Sequence, residues 1–333
     1  MRTLAKLCIL LVTVILLLQG VAIQQATAQP LLITITVDGP VEGTSAIQRS
    51  GNTYTFTSNL EQASIVIEAS NIVLDGAGFS IGEIYQLNGD NVEIKNFKID
   101  AEVNAINIAG SGCKILDNEI KAGYAGIRVR DSSNNVISGN RIDAVAGIGI
   151  AFETSSGNIV EENIINSTII ESISLTHSTY NTFLKNQVNF VSLYQSSYNV
   201  FVENSFTQGI TIRHTSNYNN ITGNNIVDYN KLTQTSIGSS GSITIERSEG
   251  NIISSNSIIN SGGIFITTSS NNVLKNNSVT GTGIGFEVSG SPQPSLSSFI
   301  NDIDDSNTIN GKKIYYLIDK VDLNINPSTY PNI

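Results

Sequence analysis

Asparagines recur along this chain in pairs five residues apart, and the pairs return about every 22 residues. The first members are Asn91, Asn135, Asn158, Asn181, Asn199, Asn219, Asn251 and Asn272, with Cys113 taking the place once. The second members are Asn96, Asn118, Asn140, Asn163, Asn186, Asn204, Asn224, Asn256 and Asn277. A weaker copy begins at Asn71, where Gly76 stands for the second Asn. Apolar residues follow in step, one set at Val73, Ile94, Ile115, Ile137, Val160, Phe183, Phe201, Ile221, Ile253 and Leu274. A second set is Ile120, Ile142, Ile165, Val188, Phe206, Ile226, Ile258 and Val279. Short alternating runs such as Ile127-Arg128-Val129 precede each first Asn.

Strands of period two, broken by Asn, Gly and Ser, cannot bury their apolar side chains within one repeat. Stacked repeats can. The expected fold is all-β, a single parallel β-helix of about ten coils, at about 4.8 Å per coil. Asn tolerates left-handed backbone and can turn the chain between strands. Stacked coil on coil, its amide can also donate one way and accept the other, which assigns Asn118, Asn140, Asn163, Asn186, Asn204, Asn224, Asn256 and Asn277 to a structural ladder. Ser132, Ser155, Ser178, Ser196, Ser216, Ser248 and Ser269 suggest a hydroxyl ladder beside it.

The ends read differently. Arg2 and Lys6 precede an apolar run from Leu7 to Leu18 and the small-residue sequence Ala26-Thr27-Ala28, so residues 1–28 are expected to be a cleaved secretory leader. Its loss takes the formal charge from −10 to −12, too acidic for a nucleic-acid partner. It also leaves Cys113 without a disulfide partner and the chain without a membrane span. Residues 29–68 are expected to form entry strands, 69–290 the coils, and 291–333 an irregular strand segment. A partner or a further segment is expected to cover that last end. Asn166, Asn220 and Asn276 each begin an N-x-S/T sequon.

The stretch SNIVLDGAGFSIG (70–82), followed by serial copies like NNVISGNRI, resembles the NosD-like group of extracytoplasmic right-handed β-helix proteins. The segment NDIDDSNTINGKKIYYLIDK (301–320) is similar to one found in archaeal surface members. The resemblance implies a right-handed, pectate-lyase-like solenoid of carbohydrate-binding or sugar-hydrolase type, in a group described as periplasmic copper-binding. Copper is not expected from this chain alone, because the mature sequence has no Met, one Cys, and two His placed two coils apart.

In a solenoid, functional residues fall in columns. One column is Arg130, Glu153, Thr176, Tyr194, Arg213, Glu246, Thr267; the next is Asp131, Thr154, His177, Gln195, His214, Arg247, Thr268. Arg130, Tyr194, Arg213 and His214 are candidates to hold a glycan, and Arg–Glu pairing across coils is the purely structural alternative. Tyr180, Tyr198 and Tyr218 each precede a first Asn, giving a candidate aromatic stripe for sugar rings or self-stacking. For catalysis the candidates are Asp131, Glu153 and His177. The strand-face column, read as Asn107, Arg128, Gly149, Ser174, Ser192, Thr211, Thr244, Phe265, Gly285, has no acid, which weighs against an enzyme. Asp302, Asp304 and Asp305 are candidate calcium ligands. These features point to a secreted or cell-surface protein that binds polysaccharide or a cell-envelope component without transforming it. A uronate lyase, hydrolase or epimerase, a surface spacer or adhesin, and a copper-handling accessory protein are the rivals.

Overall fold

Three strands per turn follow from where the alternating runs stop. The computed structural model describes residues 31–167, 171–227, 242–281, 285–290, 295–328 and 330. The proposed leader over 1–28 lies outside them, as does the stretch Ser291 to Pro294. The described residues from Leu32 onward form one compact unit, a right-handed parallel β-helix of about ten turns. In each turn a three-residue strand such as Val136–Ser138 makes the first face, one such as Arg141–Ala144 the second, and one such as Ile148–Glu153 the third. Each pairs in parallel with its counterpart one coil on: Ile137 with Val160, Ile142 with Ile165, Phe152 with Leu175. In Gln187–Tyr194 and Ser205–Arg213 one unbroken strand supplies both the second and the third face.

The interior is a column of Ile, Leu, Val and Phe, nearly all with no solvent exposure. Each such side chain contributes roughly 1.5–3 kcal/mol by leaving water. Phe183 and Phe201 stack at 4.5 Å between centroids, with Phe152 edge-on to Phe183. At the amino-terminal end, Leu31–Ile35 pairs antiparallel with Val41–Glu42, and Ile47–Ser50 with Thr53–Phe56. Thr53–Phe56 then starts the parallel first face by pairing with Val73–Asp75.

The side chains of the ladder asparagines are buried, and Asn186 shows how they are used. Asn186 donates from Nδ2 to the Val160 carbonyl on the coil before (2.8 Å) and to Asn204 Oδ1 on the coil after (3.0 Å). Its Oδ1 accepts both the backbone N–H and the Nδ2 of Asn163, each at 3.0 Å. Two donors and two acceptor positions are all that a carboxamide offers. Asp lacks the donors and Ser lacks the reach. Serine works differently from the expected hydroxyl chain: Ser178 N–H donates to Ser196 Oγ (3.0 Å), while Ser178 Oγ donates to the Thr176 carbonyl of its own coil (2.9 Å).

Four expectations change. The left-handed residue is not the ladder Asn but the one before it, such as Gly139, Glu162 and Lys185. The earliest copies sit one position out of register: Glu93 pairs with Lys114 and Ile94 with Ile115, so Asn91 and Asn96 share columns with Gly112 and Asp117. Both are left-handed turn residues, and Val92 and Phe97 take the buried places. The Asn71 copy is likewise offset, so Leu74 rather than Val73 faces the core. Finally, the coils run past residue 290: Asp302–Ile303 and Thr308–Ile309 continue the first and second faces. There Asn301 and Asn307 accept from Asn272 and Asn277, and Lys312–Lys313 closes antiparallel on Thr308–Ile309.

The adjacent residues Asn224 and Asn225 test the ladder. Asn224 is buried and bonds to Asn256, Phe201 and Asn204, whereas Asn225 is exposed. In urea denaturation, Asn224→Ala is expected to remove about 2–4 kcal/mol of stability, since it strands several buried partners at once. Asn225→Ala is expected to change it by no more than about 0.5 kcal/mol.

Candidate functional site

The corner where the third face hands over to the first turns on two left-handed residues per coil. Asp131, Thr154, His177, Gln195, His214, Arg247 and Thr268 form one left-handed column, with φ between 46° and 54°. The second holds Asn134, Gly157, Tyr180, Tyr198, Tyr218, Gly250 and Asn271. The edge column is as the sequence spacing places it: Arg130 pairs with Glu153, Thr176 with Tyr194, Tyr194 with Arg213, and Arg213 with Glu246. On the strand face, however, Arg128 pairs with Ala151 rather than Gly149, and Phe265 with Glu287 rather than Gly285. That column therefore does contain an acid, Glu287. Glycine-rich strands hid the correct register.

Tyr180, Tyr198 and Tyr218 stack ring on ring, at 5.0 Å and 8° between the first two and 5.2 Å and 17° between the last two. The ring of Tyr218 lies against Gly250, where an added Cβ would sit 2.5 Å from it. Tyr180 follows Gly157, which has no side chain to cover it, and it is the most exposed of the three at 62 % against 44 % and 50 %. The stack offers edges and one outer face. It is not a row of three open faces.

Charges on the edge are mostly matched. Arg128 forks onto Glu153 through Nε (2.8 Å) and Nη2 (2.9 Å), and Arg130 Nε lies 3.4 Å from the same carboxylate. Arg130 is the expected partner of Glu153 and does lie against it, while Arg128 from the same coil makes the shorter, forked contact. Glu246 turns to Arg247 (3.0 Å), not to its register neighbour Arg213. Tyr194 sits between the two imidazoles, 6.3 Å from His177 and 5.0 Å from His214 between centroids.

The catalytic candidates are not brought together. Asp131 and His177 stand two coils apart, about 10 Å at the strand spacing, and both oxygens of Glu153 are engaged by Arg128. The acidic trio near the carboxyl end also diverges. Asp302 pairs with Lys275 (3.1 Å), Asp305 with Lys313 (2.7 Å), and Asp304 Oδ1 accepts from the Ser306 backbone (3.1 Å) and hydroxyl. Lys313 holds the Asp305 carboxyl below its usual range. Soft donors for copper fare no better. The two histidines are separated by the Tyr194 ring, and Cys113 is buried with its thiol pushed up by desolvation and turned to the Gly89 carbonyl (3.3 Å). No group of three His, Cys, Asp or Glu gathers among the described residues, so these side chains do not fit a copper ion.

One feature was not legible in the spacing. The turn from Arg213 to Asn219 carries one residue more than its neighbours, Thr215, which is left-handed like His214 before it. A groove of about 360 Å³ lies there, lined by Thr215, Asn217, Arg247 and Glu249 among others.

The family described as "Periplasmic copper-binding protein (NosD)" matches residues 56–236, more than half of the chain, and "Right handed beta helix region" matches 169–319. Among curated proteins none matches the sequence. Solved structures that resemble it include DFA-IIIase from Arthrobacter chlorophenolicus A6 in complex with GF2, at TM-score 0.50 and 15 % identity over 78 % of this chain and 70 % of that one. The periplasmic alginate epimerase AlgG has TM-score 0.45 and 14 % identity over 76 % and 69 %. The catalytic unit of a GH87 alpha-1,3-glucanase from Streptomyces thermodiastaticus strain HF3-3 has TM-score 0.44 and 14 % identity over 85 % and 64 %. At such identities the likeness is one of fold. No helix among the described residues is long and apolar enough to cross a membrane.

Because the three aspartates are turned to separate partners, calcium is expected to leave the urea midpoint unchanged. A site with Kd near 0.1 mM would instead add about 2.3 kcal/mol at about 5 mM calcium, which the same titration would reveal.

Proposed function

The chain belongs to the NosD family, and we propose that it is an extracytoplasmic β-helix protein that binds a polysaccharide or surface glycan without transforming it. The observation that carries this reading is the backbone at Tyr180, Tyr198 and Tyr218, which have φ of 58°, 60° and 56°. A side chain with a Cβ in left-handed backbone costs about 1–2 kcal/mol, and Gly avoids that cost. The same column uses Asn134, Gly157, Gly250 and Asn271 on other coils. Three successive coils thus hold a bulky aromatic where the turn itself favours Asn or Gly. Two stacked pairs return about 0.5–1.5 kcal/mol each, which does not offset three such positions. Strain kept at a surface points to use. Exposed aromatic rings beside arginine, tyrosine and imidazole suit a sugar, which offers C–H faces to rings and hydroxyls to polar groups.

A binding role is favoured over an enzymatic one because Asp131, Glu153 and His177 do not assemble an acid and a base around one position. The leader-like residues 1–28 and the family's periplasmic description support export. A spacer or adhesin would need the fold but not the strained tyrosines.

A glycan array probed with the parent chain and with the triple variant Tyr180→Asn, Tyr198→Asn, Tyr218→Asn tests this. The variant is expected to be no less stable than the parent, because relief of strain exceeds lost stacking. Its glycan affinity is expected to fall about tenfold or more, equivalent to about 1.4 kcal/mol. Undiminished binding with lowered stability would assign the rings to the turn alone.

A further inference from the structure

We infer that Arg213 is a carboxylate anchor, so that the glycan bound at this corner contains uronic acid. The inference rests on the glycan-binding reading above and names the ligand class for the same site. Its starting point is a mismatch of charge. Arg128, Arg130 and Arg247 each lie against Glu153 or Glu246. Arg213 has Glu246 as its register neighbour, yet that carboxylate is turned to Arg247. Among the described residues Arg213 makes no ion pair.

Its hydrogen bonding is incomplete as well. A guanidinium presents five N–H donors in a rigid fork. The side-chain bond that Arg213 makes runs from Nη2 to Ser192 Oγ on the preceding coil, at 3.2 Å. Nε is buried and has no acceptor. A buried charged donor without a partner is rare enough to mark this side chain as held for more than packing. The side chain lies back over the third face, half-buried above Ser192 and beside the Tyr194–His214 pair. A half-buried guanidinium is screened less than one in open water, which strengthens an ionic hydrogen bond to it.

The chemistry of the partner follows from shape and charge. A planar carboxylate meets a guanidinium with two parallel hydrogen bonds. One arginine neutralises one carboxylate, whereas a phosphate ester or a densely sulfated chain calls for several free cations. Among the described residues this corner offers one arginine without an ion pair, in a chain of formal charge −10. The fit is a sugar with one carboxylate aimed at Arg213, its ring against Tyr194 and its neighbours reaching the tyrosine stack.

The test uses the full chain and three oligouronates (galacturonate, glucuronate and mannuronate), each beside its carboxyl-reduced neutral counterpart, with binding measured by calorimetry. The parent is expected to bind at least one acid about tenfold or more tighter than its neutral partner. Arg213→Met is expected to abolish the preference, so that the acid and its neutral counterpart bind within about twofold of each other. Arg213→Lys, which keeps the charge without the fork, is expected to restore only part of the preference. Lys also decides the matter should the Met variant fold poorly. Equal affinity of the parent for acid and neutral forms overturns the assignment and leaves the glycan reading standing. A preference for a sulfated oligosaccharide over every uronate also overturns it. Absence of binding to every acidic and neutral sugar, on the array as in the calorimeter, removes the glycan reading itself.

Discussion

Everything in this molecule depends on the carboxamide of a buried asparagine joining the coil before it to the coil after it. A parallel β-helix has strands that hydrogen-bond well and corners that do not, because the backbone there leaves the ladder pattern. Asn163, Asn186 and Asn204 fill that gap in succession, each accepting twice from one neighbour and donating to the next. A second line through Asn158, Asn181 and Asn199 does the same at the other end of the first face. In a low-dielectric interior such a chain of bonds is strong when complete and costly when broken. It fixes register coil by coil, so every outward column inherits its alignment.

That dependence explains what could be read from the sequence. The ladder asparagines, the apolar columns and the edge column from Arg130 to Thr267 follow from spacing alone, because on most coils only Asn meets the hydrogen bonds of the corner and only an apolar side chain fills the core. Where Asn is replaced the reading slips. Val92 and Phe97 hold the buried positions with no amide to mark them, and the exposed Asn91 and Asn96 mislead by chemical identity. Gly149 and Gly285 carry no burial signal that would show their register, and the column members beside them are Ala151 and Glu287. Asn301 and Asn307 stand six apart and so fall outside the five-residue spacing, although both take ladder positions.

The site was less legible than the fold. Sequence spacing places Arg213 beside Glu246, and the backbones do pair. Side-chain direction decides the chemistry, and it pairs Glu246 with Arg247 and Glu153 with Arg128. Likewise the tyrosines align as their spacing requires, but their left-handed backbone and mutual stacking emerge only in three dimensions. A repeat specifies which residues share a column. It does not specify which of them lean on each other and which remain open to a ligand.

The most direct measurement is a pair of engineered disulfides on the first face, with Cys113 replaced by Ser. Thr182 and Val200 are register partners on adjacent coils, both outward and partly exposed, while Phe201 next to Val200 points into the core. Parallel neighbours about 4.8 Å apart lie within the span of a disulfide. Under mild oxidation, Thr182→Cys with Val200→Cys is predicted to cross-link readily in the folded chain, and Thr182→Cys with Phe201→Cys is predicted not to. Equal cross-linking of the two pairs, or none in the first, would contradict the stacked register and every column built on it.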